Sequence, residues 1–441
     1  MRSSKIKIVV MGVFVAGSFI LLFQILHTNA QTNRAALFAA MQADRQPVIV
    51  AEINTPSICT DGMAGIYPCK NVDLLAHLPL PSIGGGSGND IWGWTDPQTN
   101  REYALMGLST GTAFVDITDP AAPIYLGNLP THSVSSIWRD IKVYANYAFI
   151  VSEAPGHGMQ IFDLTLLRTV PSPPATFVET MHYDGINSAH NIAINTDTGF
   201  AYVVGANNCG GGLHMVNIQD PLAPEFAGCF SADGYTHDTQ CVIYTGPDIN
   251  YQGHEICFSA NEDTLTIVDV SDKANPQQVA RETYAGVSYT HQGWLTEDHT
   301  TFLLDDEGDE IDYGTNTRTF IWDVTTLTEP TILRRYTADT TAIDHNLYIY
   351  NGKIYQANYR AGLRILEGSD FVTSQPVETA YFDTYPDDNA ASFDGAWSVY
   401  PFFASGTIIV SDINRGLMIL KASSQPPQES FKNYLAIISR P

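Results

Sequence analysis

The chain has 441 residues, 22 Lys and Arg against 47 Asp and Glu, and a formal net charge of −25. With 44% hydrophobic and only 16% charged residues it can bury a large core and is no disordered chain. The acidic balance excludes the electrostatic footprint of a nucleic-acid binder and adsorption to anionic membrane surfaces.

The first element is a targeting segment. Arg2, Lys5 and Lys7 precede an apolar run from Ile8 to Leu26. Thr28 and Ala30 then offer small residues at the −3 and −1 positions of a cleavage site. This pattern predicts a signal peptide over residues 1–30, an uncleaved signal anchor being the alternative. Either form places the rest of the chain outside the cytoplasm, secreted or at the cell surface. No later apolar stretch is long enough to span a membrane.

Six cysteines follow: Cys59, Cys69, Cys209, Cys229, Cys241 and Cys257. An even count in an exported chain predicts disulfides, and proximity pairs them as 59–69, 209–229 and 241–257. Residues 31–71 read as an N-terminal extension holding the first of these bridges, and residues 422–441 as a C-terminal tail.

Between them one line recurs. It stands as Gly111-Thr-Ala-Phe-Val-Asp-Ile-Thr-Asp-Pro120 and returns at Gly158, Gly212, Thr264, Arg318, Gly362 and Gly416. Its sixth position falls at Asp116, Asp163, Asn217, Asp269, Asp323, Glu367 and Lys421, seven copies at a mean period of about 51 residues. Each copy is an apolar strand closed by a turn, with two strand patterns before it and one after. Four strands in such a period are the arithmetic of a β-propeller blade. The sequence therefore predicts an all-β, seven-bladed β-propeller over residues 72–421. After Lys421 the last blade lacks its fourth strand, and Val72–Pro79 has the pattern of one. The N-terminal strand is predicted to close the ring.

The repeat line resembles the LVIVD repeat. The run Asp61–Leu75, the run Asn89-Asp-Ile-Trp-Gly-Trp-Thr-Asp96, and His345-Asn-Leu-Tyr348 with Asn358-Tyr-Arg-Ala-Gly-Leu-Arg364 resemble the choice-of-anchor B family. The resemblance spans about residues 58–421. It implies an exported propeller whose members differ in their C-terminal anchors, and implies no reaction. The tail Phe431–Pro441 is too short to span a membrane.

Chemistry concentrates where blades begin. The first strands open as Asn89-Asp90, Arg139-Asp140, His190-Asn191, His237-Asp238, His291-Gln292, His345-Asn346 and Gly395-Ala396. Four consecutive blades thus place His190, His237, His291 and His345 at one register of the central channel. Equivalent imidazoles at one depth can converge on a divalent transition metal, Zn, Cu, Fe or Ni. The ends of the second strands lie beside them and carry Glu153, Asn261 with Glu262, Asp305-Asp306-Glu307, and Asn358 with Arg360. Asp306 and Glu307 are the predicted carboxylate ligands, and Asp306 or Glu307 is expected nearest His291. Arg139 and Arg360 suggest an anion or small-ligand site at the same mouth. The remaining histidines, His77, His157 and His214 among them, share no register with this set and read as structural or surface residues. The acidic run Asp305–Asp312 suggests a Ca²⁺ loop, although it does not match the D-x-[DN]-x-[DN]-G pattern. Gly84-Gly-Gly-Ser-Gly88 lacks the Lys and the strand-to-helix setting of a phosphate cradle.

Two functions fit. One is an exported scaffold that binds an extracellular ligand or protein at the polar mouth, with or without a metal. The other is a metal-dependent enzyme, of oxidase or hydrolase/lactonase type, in which the histidines leave a coordination position open and a nearby carboxylate acts as base. The latter rests on fold analogy.

Overall fold

The computed structural model describes residues 39–42, 48, 52–53, 55–368 and 371–423. The predicted signal peptide and nearly all of the C-terminal tail lie outside these residues.

Seven sheets, each built on four antiparallel strands, form the propeller. The innermost strands, in chain order, are Gly88–Thr95, Arg139–Tyr144, Asn191–Asn195, Asp238–Ile243, Thr290–Leu295, Asn346–Tyr350 and Ala396–Tyr400. We number blades 1 to 7 in that order. The repeat line is the third strand of each blade, for example Gly111–Asp116 and Leu265–Asp269.

The composition of that line has local causes. A Cβ at Gly111, Gly158, Gly212, Gly362 or Gly416 would stand 2.2, 2.6, 2.2, 2.3 or 2.4 Å from a backbone carbonyl of its blade's outer strand or the segment next to it. Only glycine lets the two chains approach so closely. The Asp or Asn in sixth place caps the turn that follows. Its side-chain oxygen accepts from the backbone N–H two residues on, as Asp116 does from Thr118 (3.0 Å), Asp163 from Thr165 (2.9 Å) and Asp323 from Thr325 (2.8 Å).

Burial is concentrated between blades. Seven apolar clusters each join one blade to the next, such as Phe149, Val151 and Met159 of blade 2 against Ile192, Ala201 and Val203 of blade 3. Polar latches along the channel add to them. Asp90 accepts from Ile141 N (3.3 Å), Asp140 from Ile192 N (2.7 Å), Gln240 from Leu295 N (2.7 Å) and Gln292 from Leu347 N (2.9 Å). Each latch ties one inner strand to the backbone of the next blade.

Val72–Leu78 pairs antiparallel with Gly416–Ala422 and completes blade 7, so the N-terminal strand closes the ring as predicted. The extension before it is woven into the same seam. Tyr67–Lys70 pairs with Val377–Phe382 on the outer edge of blade 6, and Met63–Ala64 folds back onto Tyr67–Lys70. Cys59–Cys69, Cys209–Cys229 and Cys241–Cys257 are all bridged. Cys241 and Cys257 are direct cross-strand partners.

Candidate metal centre at the channel mouth

The four histidines stand in an arc at the start of the inner strands of blades 3 to 6. Ring centroids are 4.4 Å apart for His190 and His237, 4.1 Å for His237 and His291, and 4.4 Å for His291 and His345. All four are buried.

Each ring is held by its Nδ1. His237 Nδ1 lies 2.8 Å from the carbonyl oxygen of His291, and His345 Nδ1 bonds the carbonyl of Trp397. A carbonyl can only accept, so these two rings carry their proton on Nδ1 and turn the Nε2 lone pair away from it. Glu153 Oε1 stands 2.6 Å from His190 Nδ1, and Asp305 Oδ1 stands 3.2 Å from His291 Nδ1. Orientation of one ring nitrogen by an outer acceptor is the arrangement found behind ligating histidines.

Glu307 enters this arc from the end of the second strand of blade 5. Its Oε2 is 3.8 Å from His291 Nε2 and its Oε1 is 3.6 Å from His345 Nε2. The Tyr359 hydroxyl donates to Glu307 Oε1 at 2.5 Å. One donor atom from each of His237, His291 and Glu307 lies within 4.8 Å of the others, and all three residues are buried. Donors held about 2.0–2.2 Å from one ion stand a little over 3 Å apart, slightly closer than these. Burial, and then the neighbouring His237, His345 and His190, push the His291 pKa well below its usual value. The neutral imidazole so favoured is the ligating form.

Met41, Trp138 and Trp397 line the same enclosed space, whose volume is about 10 Å³, room for one water-sized occupant. Met41 belongs to an apolar cluster with Trp138, Tyr289, Ile343, Tyr359, Phe393, Trp397 and Ile413 that covers the mouth.

The structure separates the carboxylates that the sequence groups together. Successive residues of a strand face opposite ways. Asp305 and Glu307 therefore reach the histidines, while Asp306 faces away. The Asp306 carboxylate accepts from Tyr289 N (2.7 Å), Ser288 N (2.8 Å) and the Tyr284 hydroxyl (2.8 Å), a backbone-holding role in place of the expected ligand. The run Asp305–Asp312 does not gather into an oxygen cage for Ca²⁺. Asp309 pairs with Arg318, Asp312 bonds Ser288, and Glu310, in the short helix Asp309–Tyr313, has its pKa pushed up to about 10 by burial and by Asp309.

The two arginines are spent elsewhere. Arg139 donates to Leu108 O (3.1 Å) and Thr131 Oγ1 (2.8 Å) and lies 2.9 Å from His157 Nε2. Arg360 pairs with Asp394 (2.6 Å) and Asp388 (2.8 Å). They do not assemble an anion site. Asn261 Nδ2 donates to Asp233 Oδ2 (3.1 Å), the Glu262 carbonyl accepts from Thr290 N (2.7 Å), and Asn358 shapes the turn before Gly362. His77 lies between the Tyr67 hydroxyl and the Arg415 carbonyl, and His214 bonds the Tyr183 hydroxyl, so both sit in packed interiors. Sequence reading missed Tyr359 and Met41. Tyr359 sits between Asn358 and Arg360, at a blade position the alignment had already marked; Met41 has no equivalent in any repeat.

Residues 257–282 match the LVIVD repeat. No curated protein matches the chain. Among solved structures, the chain is similar to Kuenenia stuttgartiensis hydrazine synthase, with TM-score 0.50 and 11% identity over 71% of this chain and 91% of that one. It is also similar to a protein from Lactobacillus plantarum (TM-score 0.49, 14% identity, 74% of this chain and 90% of that one) and to the computationally designed Ika8 protein (TM-score 0.48, 8% identity, 85% and 98%). At such identities the likeness to the first concerns fold alone. The chain is an all-β, seven-bladed propeller that carries the LVIVD repeat.

Proposed function

We propose that the chain is an exported propeller of the choice-of-anchor B type, a scaffold for an extracellular ligand or protein, with one divalent transition-metal ion at its channel mouth. Export is supported by the basic and apolar N-terminal pattern and by three disulfides, which persist in oxidising compartments. No helix among the described residues is long and apolar enough to cross a membrane.

The metal rests on one observation: His237, His291 and Glu307 bring buried donor atoms within 4.8 Å of one another. His190 and His345 flank them as further imidazoles. An ion there would bind blades 4 and 5 together, and would stabilise the ring by its own binding free energy. The metal-dependent enzyme reading uses the same residues. The cover of Met41 and the two tryptophans over a space of about 10 Å³ leaves no room for a substrate, which favours the scaffold.

Elemental analysis of the purified protein tests this reading. One equivalent of a transition metal is expected, and it should be lost from a His237→Ala, His291→Ala double variant that keeps its β-sheet circular dichroism. A parent protein that takes up no supplied transition metal refutes the metal centre.

A further inference from the structure

At the end of the channel away from the histidines lies a second, larger cavity of about 550 Å³, a size suited to a small organic ligand. Six aromatic residues from blades 1, 5, 6 and 7 line it: Trp92, Trp94, Trp294, Tyr348, Tyr400 and Phe402. Rings among them pack edge-on, with centroids 5.0 Å apart for Trp294 and Tyr348, 5.8 Å for Tyr348 and Phe402, and 5.9 Å for Trp92 and Tyr348. Aromatic ring faces are electron-rich, so a lining of this kind suits a cation better than an anion.

Lys142 and Asp238 line the same cavity. The Lys142 ammonium lies 2.6 Å from Asp140, 3.3 Å from Asp90 and 4.6 Å from the centre of the Trp92 ring. The chain thus already keeps one ammonium here, against an aromatic face and two carboxylates. Asp238 is a third carboxylate. It accepts from Thr239 N (2.6 Å) and makes no ion pair among the described residues. Among the described residues no Lys or Arg lies over Trp294, Tyr348 or Phe402. Lys142 acts on Asp238 from beyond ion-pair distance, so among the described residues the Asp238 carboxylate has no direct contact with a cation of the chain.

We propose that this cavity binds a small organic cation, a primary or quaternary ammonium, with Asp238 as its counter-ion and the faces of Trp294 and Phe402 against its charged end. Ammonium groups are held by aromatic faces through the ring quadrupole, and more strongly where water is excluded. The proposal uses no residue of the metal centre and stands or falls apart from it.

Trp92 and Trp294 supply the readout, since a cation against indole alters its fluorescence. The full-length protein is titrated with choline, n-butylamine, the uncharged tert-butyl isostere of choline, and glucose. Saturable quenching by at least one of the two amines is expected, with the isostere and glucose at least about tenfold weaker. Asp238→Asn should bring the amine down to the affinity of the isostere. Saturation by neither amine, binding of the isostere or glucose as tight as the amine, or an Asp238→Asn protein that binds like the parent would each overturn the proposal. The comparison of amine with isostere needs only the unmodified protein, so a variant that fails to fold does not remove the test.

Discussion

His237 Nδ1 lies 2.8 Å from the backbone carbonyl of His291, so one candidate ligand is aimed by the main chain of the next. The same inner-strand register that repeats the imidazole also supplies the acceptor that orients it. Metal affinity should then depend on the shell behind the donors as well as on the donors. Tyr359, which donates to Glu307, is the most accessible test. Tyr359→Phe should weaken metal binding about 10–100-fold with the stoichiometry unchanged, as loss of an outer-shell partner does elsewhere. Competition with a chromophoric chelator measures it; an unchanged affinity would remove Tyr359 from the site.

Ring closure predicts a large effect from a short deletion. Val72, Leu74, Ala76 and Leu78 are buried in the seams of blade 7, and their strand pairs with Gly416–Ala422. Deleting residues 72–78 leaves that edge bare and opens the seam. Loss of the cooperative thermal transition, or aggregation at room temperature by light scattering, is expected. A deletion variant that melts like the parent would show that the strand is dispensable.

The latch of Asp140 joins two interactions. Its carboxylate accepts from Ile192 N in blade 3 and pairs with buried Lys142. Asp140→Asn keeps the shape, removes the charge and leaves the Lys142 ammonium less compensated. Breaking a buried pair in this way costs about 3–5 kcal/mol. Denaturant unfolding should show it as a lower midpoint with an unchanged slope, and Asp140→Asn combined with Lys142→Met should recover part of the loss.

His77 predicts acid sensitivity. Burial lowers its pKa from 6.5 to about 4. Between these values the unfolded chain binds the proton and the folded chain does not. The contribution of His77 is therefore complete above pH 6.5 and is lost as pH falls towards 4, by about 3 kcal/mol at most. His77→Gln removes the titrating group. The stability difference between parent and variant, measured by urea unfolding, should change across that window and stay flat above pH 7. A difference independent of pH would mean that His77 does not titrate on unfolding.

Fold and ring closure were legible because a propeller repeats one local solution. A glycine allows each close strand approach, an Asp or Asn caps each turn, and alternating apolar residues fill both faces of each blade. These are short-range demands, so they recur in the chain at a fixed period and can be counted. The common register of His190, His237, His291 and His345 was legible for the same reason, since equivalent positions fall at equivalent depths. Three residues further along that register stand Trp92, Lys142, Gln240, Trp294 and Tyr348, so the deeper channel layer was within reach of the same alignment. What the tertiary structure alone decided were contacts between residues with no fixed spacing. The alternation of the strand turned Asp305 and Glu307 inward and Asp306 outward. Arg139 went to His157 and Arg360 to Asp388 and Asp394, because a buried guanidinium takes the nearest acceptors that desolvation leaves it. Met41 lies outside every repeat, and only the packed mouth shows that it covers the histidines.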